Sequence, residues 1–160
     1  QNQPINEVNS ICHYCNLDMA QLCGDEPPDY WNQIDYPVMK VLHVNDKIAT
    51  SKAIHDLDAK LKYISKKGHL AILDKHDIKS PGGTGHTFNW NIAKELSKSH
   101  TFIMAGGISP DNVEEALATV FPHGVDVSSG VETNGAKDFG KIQEFISLVR
   151  KPRSKSRSST

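Results

Sequence analysis

Five times along this chain a short apolar run that reads as a β-strand gives way to a stretch with helical spacing, in units of roughly 20 to 33 residues. Strands separated by helices cannot pair as tight hairpins, so the alternation predicts parallel strands joined by right-handed crossovers. The strand readings are Asp18 to Cys23, stopped by Gly24, then Pro37 to Val44, His69 to Asp74, Thr101 to Ala105 and Val125 to Ser128. A helix over Ile5 to Tyr14 precedes the first. Between the second and third strands Ile54, Leu57, Leu61 and Ile64 fall on one helical face, and Lys66, Lys67 and Gly68 supply last-turn cations and a left-handed stop. The stretch with Asp25, Glu26, Pro27 and Pro28 reads as a loop, Trp90 to Ser97 as a helix, and Ser109-Pro110-Asp111 as the capped start of another. A final helix aligns Ile142, Phe145, Ile146 and Val149. A closed (β/α)8 barrel needs eight strands and at least ~200 residues, so five units imply either an open sheet or a chain lacking the barrel's beginning.

With 160 residues and 38% hydrophobic content there is enough to bury one core, and one domain over residues 1–150 is expected. Residues 151–160, Lys-Pro-Arg-Ser-Lys-Ser-Arg-Ser-Ser-Thr, have almost nothing to bury and are expected to form a disordered basic tail. A net charge of -1 gives no global field for nucleic acid or membrane, and no apolar run approaches the ~20 residues of a bilayer span. A small neutral or anionic ligand is the expected partner, with no nucleic acid and no membrane. Cys12, Cys15 and Cys23, an odd number without a secretory leader, argue against a disulfide framework and for the cytoplasm. Cys12-His13-Tyr14-Cys15 is half of a zinc motif, but no second pair follows at suitable spacing, and no metal is expected.

Chemistry concentrates in the second half. Ile72-Leu73-Asp74 leads to Gly82-Gly83-Thr84-Gly85, Met104-Ala105 to Gly106-Gly107, and Val125-Asp126-Val127 to Ser128-Ser129-Gly130. Glycine at the C-terminal end of a strand lets backbone N–H groups approach an anion, and two such clusters on consecutive strands make a phosphate grip of the kind (β/α)8 barrels carry. The plainer reading of such glycines is a tight left-handed turn, and that of Asp74 is a turn cap. Asp126 reads as structural or as a loop orienter, placed before the open end of its strand. Gln21 and Cys23 alternate with apolar neighbours and should share one face.

At these residues the sequence resembles phosphoribosylanthranilate isomerase of tryptophan biosynthesis, in its fungal form. The resemblance rests on Asn2-Gln3-Pro4, Leu17 to Glu26, Leu73-Asp74, Gly82-Gly83-Thr84-Gly85-His86-Thr87-Phe88-Asn89-Trp90, Ala105 to Val113, and Val125 to Glu132 with Lys137-Asp138, in family order. It implies a (β/α)8 TIM barrel, incomplete here, with about five parallel units corresponding to strands 4 to 8. It further implies an Amadori rearrangement of N-(5-phosphoribosyl)anthranilate without a cofactor. Asp74 matches the general acid; Gly83, Gly106, Gly107, Ser128, Ser129 and Gly130, with Gln21, match substrate and phosphate contacts. Many relatives have His where Cys23 stands. The family's general base is a cysteine in a Lys-(Ile/Val)-Cys-Gly motif that nothing in these residues matches, so the chain alone is expected to be inactive. Upstream tryptophan-pathway domains in a parent chain are compatible with the resemblance. The rival reading is a noncatalytic phosphate-binding module with an open, doubly wound sheet.

Overall fold

The computed structural model describes residues 1–75 and 88–151. Five parallel strands form one sheet: β1 (Ala20–Leu22), β2 (Val38–Val44), β3 (Leu70–Lys75), β4 (Ile103–Met104) and β5 (Gly124–Val125). Their spatial order is β1-β2-β3-β4-β5, with no reversal. A doubly wound sheet needs a switch point where the order turns back, so the topology rules out that architecture for the rival reading. Helices α1 (Ile5–Tyr14), α2 (Pro28–Trp31), α3 (Thr50–Lys66), α4 (Trp90–Ser97), α5 (Val113–Val120) and α6 (Phe139–Arg150) complete the alternation. A short hairpin of β6 (Glu132–Thr133) and β7 (Ala136–Lys137) precedes α6. No described helix is long and apolar enough to cross a membrane.

The register assigns each face. Val41 pairs with Ile72, His43 with Asp74 and Leu73 with Met104, so alternate residues collect on opposite sides. Val38, Leu42, Val44, Ala71, Leu73 and Met104 face the helices and merge with Leu57, Leu61, Ile64, Ile92, Val113 and Val120 in the main core. On the other face Val41, Ile72 and Ala105 form a small second cluster, flanked by Cys23, Met39 and Ile103. Burial on both faces explains why Leu70 to Leu73 reads as one apolar run rather than an alternating one, whereas β2 carries Lys40 and His43 within it.

Helix ends follow the sequence where the signals are local. Gly68 (φ +75°) ends α3 with the His69 amide donating to the Ile64 carbonyl and the Gly68 amide to that of Ser65. Asn16 (φ 51°) ends α1 in the same way, with Leu17 N–H donating to Cys12 O. Cys12 is buried on that helix, whereas Cys15 is exposed.

Other expectations fail for identifiable reasons. Asp25 to Pro28 is not simply loop: Pro28 opens a helical turn whose Trp31 is buried and donates its indole N–H to Glu26 O. The helix expected from Ser109 starts at Val113, because Asn112 accepts from the Ser109 amide and donates to Gly107 O, closing residues 107–112 into a loop. The last strand ends at Val125, not Ser128, and the chain turns through a 3-10 segment at Ser129–Val131.

Lys40 points toward the helices yet is buried with Glu26 in an ion pair of 2.7 Å. Its ammonium also donates to the carbonyls of Leu22 and Gly24, while the second Glu26 oxygen accepts from the Asn2 and Gly24 amides. Burial by itself would raise the Glu26 carboxyl, but hydrogen bonds from Lys40 and Asn2 and the Lys40 charge hold it down at about 2. This network fixes the loop after β1 to β2.

Candidate active site

A cleft of about 140 Å³ opens at the C-terminal ends of β3, β4 and β5, lined by Asp74, Ala105, Gly106, Gly107, Ile108, Asp126, Val127, Ser128, Ser129 and Gly130. Asp74 reaches it through the strand period, since Leu70, Ile72 and Asp74 share a face while Ala71 and Leu73 turn to the helices. Its Oδ1 accepts from the Lys75 amide at 2.7 Å. Burial pushes the Asp74 carboxyl above the ordinary aspartate range and the Asp126 charge adds to this; the Lys75 amide and His43 pull the other way without cancelling it. The shift is in the direction of the protonated form, the form a proton donor needs.

Two glycine contacts hold the loops beside it. Gly106 has φ +82°, and a β-carbon there would stand 2.6 Å from the Lys75 amide nitrogen and 2.8 Å from Asp74 Oδ1. Gly107 is also left-handed, at φ +74°. A β-carbon on Gly130 would lie 1.9 Å from the Ile108 carbonyl oxygen, so the loop after β5 nests against the loop after β4 only because position 130 is glycine. Both turns require glycine, and both also border the cleft.

Six of the expected site residues therefore converge: Asp74, Gly106, Gly107, Ser128, Ser129 and Gly130. Gly83 lies outside the described residues. Gln21 shares a face with Cys23, as its spacing predicts, and its amide approaches Cys23 Sγ at 3.5 Å. It is exposed on β1, two strands from β3, and does not line the cleft. Asp126 also borders the cleft. It follows the end of β5 directly, donates its amide to Met104 O and lines the cleft with Asp74. Its signal was a single acid beside a strand end that the sequence placed three residues too late. Among the described residues no group of three or more His, Cys, Asp or Glu side chains could hold a metal ion.

Fold and site together define a singly wound α/β protein with a cleft of glycine- and serine-rich turns at the strand C-termini and a half-buried acid on its rim. The family model for N-(5'-phosphoribosyl)anthranilate (PRA) isomerase matches residues 1–148. The N-(5'-phosphoribosyl)anthranilate isomerase of Dehalococcoides mccartyi is 41% identical over 149 residues, which cover 93% of this chain and 68% of that protein. The crystal structure of phosphoribosyl anthranilate isomerase from Thermotoga maritima superposes with a TM-score of 0.76 at 28% identity, covering 92% of this chain and 69% of that one. A further phosphoribosyl anthranilate isomerase structure, in complex with reduced 1-(o-carboxyphenylamino)-1-deoxyribulose 5-phosphate, matches at 0.71 and 27% identity, covering 92% and 67%. The chain belongs to the PRA isomerase family, a family of isomerases in tryptophan biosynthesis. The curated relative is bacterial, so it supports the family and not its fungal form.

Proposed function

We propose that this chain serves the Amadori rearrangement of N-(5-phosphoribosyl)anthranilate to 1-(2-carboxyphenylamino)-1-deoxyribulose 5-phosphate, an aldose-to-ketose isomerisation, with Asp74 as the general acid that protonates the furanose oxygen. The supporting observation is the juxtaposition in one cleft of a carboxyl held above its usual range and the glycine- and serine-rich ends of two consecutive strands. Gly106, Gly107, Ser128, Ser129 and Gly130 are assigned to the 5-phosphate, whose oxygens suit backbone amides and hydroxyls at such turns. Gly83 is assigned to the same substrate by its place in the Gly-Gly-Thr-Gly sequence. Gln21, on β1, is assigned to the end of the substrate remote from the phosphate.

The mechanism also needs a base to remove the C2 proton once the ring has opened. A Lys-(Ile/Val)-Cys-Gly segment is absent from these 160 residues. The five strands accordingly correspond to strands 4 to 8 of a (β/α)8 barrel, and turnover requires the first three strands with their cysteine. Mixing this chain with a polypeptide carrying those units should restore isomerisation, followed by loss of the ring-closed substrate. In that pair Asp74→Asn should lower kcat by roughly 10²- to 10⁴-fold, the usual range for a general acid. A complemented pair without turnover, or an Asp74→Asn pair with full turnover, would refute the assignment.

A further inference from the structure

The phosphate-side loop is held by a side chain outside the cleft. Lys137, on β7, sits opposite Glu132 of β6 in the antiparallel hairpin that follows the Ser-Ser-Gly turn. Asn134 (φ 53°) and Gly135 (φ +77°) make the reversal, which brings the two side chains to one face. From there the Lys137 ammonium donates to the Ser128 carbonyl at 2.9 Å, to Ser128 Oγ at 3.3 Å and to Glu132 Oε1 at 2.7 Å. The hairpin is itself braced: Lys141 donates to Glu132 O at 2.7 Å, and Thr133 Oγ1 to Asp138 Oδ2 at 2.8 Å, with Asp138 capping α6.

An ammonium carries only donors, so its contact with Ser128 Oγ uses that oxygen as an acceptor and leaves the hydroxyl hydrogen to point elsewhere. Ser128 lines the cleft, and a phosphate oxygen there is a natural acceptor. We propose that Lys137 is a positioning residue for phosphate: it locks the Ser128 carbonyl, turns the Ser128 hydroxyl into a donor toward the anion, and brings one positive charge to the rim. Glu132 restrains the lysine and partly offsets that charge. The inference rests on the phosphate-binding reading of the Ser128 to Gly130 turn.

The test is titration of the full chain with inorganic phosphate, by calorimetry or phosphorus NMR, for wild type, Lys137→Met, Lys137→Arg and Glu132→Gln, with a thermal melt of each. Lys137→Met should weaken phosphate binding about fivefold or more, and Lys137→Arg should stay within about twofold of wild type, because a guanidinium likewise only donates to Ser128 and keeps the positive charge at the rim. Glu132→Gln should bind phosphate about twofold tighter, since the lysine keeps its hydrogen bonds and loses its counter-charge. A purely mechanical brace predicts that Lys137→Met and Glu132→Gln both bind more weakly, and that pattern overturns the proposal. Should Lys137→Met fail to fold, the sign of the Glu132→Gln change decides alone. Wild type that binds phosphate alongside an equally tight Lys137→Met refutes the role of the lysine and leaves the cleft assignment standing, whereas wild type that binds none refutes both.

Discussion

Asp74 and Glu26 show how opposite surroundings give one functional group two uses. Asp74 is raised by burial, so its folded form holds the proton more tightly than the unfolded chain does. Stability from that proton is complete below the unfolded carboxylate range and is lost as pH rises through the folded value. Asp74→Asn keeps an acceptor for the Lys75 amide and cannot ionise, so it should be more stable than wild type at pH 8, with the gap closing toward pH 4 in urea melts. A constant gap would mean the carboxyl is not the titrating group. Gly106 is the other residue on which the acid depends. Gly106→Ala combines left-handed strain of about 1–3 kcal/mol with a clash against Asp74 Oδ1 and the Lys75 amide, and should lower both the melting temperature and phosphate affinity. The sequence marked Asp74 and the glycines because their chemistry is local to a strand end. It placed the end of the fifth strand at Ser128 rather than Val125, and the loop beyond rests on Gly130 nesting against the Ile108 carbonyl, a contact between two loops that no local spacing encodes.

At the scale of elements, starts and stops written in adjacent residues were legible. Lys66 and Gly68 at the end of α3 act within a few positions of each other. What depended on distant partners was not. Nothing near Lys40 announces that its ammonium will meet Glu26, because the pair forms only when β2 lies beside β1 and α2 folds over the loop between them. The hairpin was legible in principle, since Asn134-Gly135 is a strong two-residue turn signal, but its strands are only two residues each. The ion pair gives the test at this scale. Glu26→Gln leaves a buried ammonium without its anion and should cost about 3–5 kcal/mol at pH 7, whereas Glu26→Gln with Lys40→Met should recover most of that loss. Because the Glu26 carboxyl is lowered from 4.5 to about 2, its stabilisation is present above the unfolded value and fades as pH falls through that window. The difference between wild type and Glu26→Gln, read by denaturant melts, should therefore shrink between pH 5 and pH 2.

For the whole molecule the decisive property is strand order. The β-then-α alternation established a parallel sheet from sequence, yet alternation is shared by singly and doubly wound folds, and only pairing distinguishes them. The observed β1-β2-β3-β4-β5 order leaves β1 and β5 as the two edges of the described sheet. Their backbone groups on the outer side have no strand partner there, and the face bearing Val41, Ile72 and Ala105 has a cluster far smaller than the one under the helices. Short edges of three and two residues blunt strand addition but do not remove it. If these five units belong to an eight-stranded barrel, the 160-residue chain should self-associate reversibly at micromolar and higher concentration, as exposed parallel edges do. Sedimentation velocity across that range should show a rising weight-average mass, and adding a polypeptide that carries three further βα units of the family should replace the larger species with a single one-to-one complex. A chain that stays monomeric throughout, and ignores the added units, would mean that the sheet is finished at five strands and that the catalytic base must be sought elsewhere.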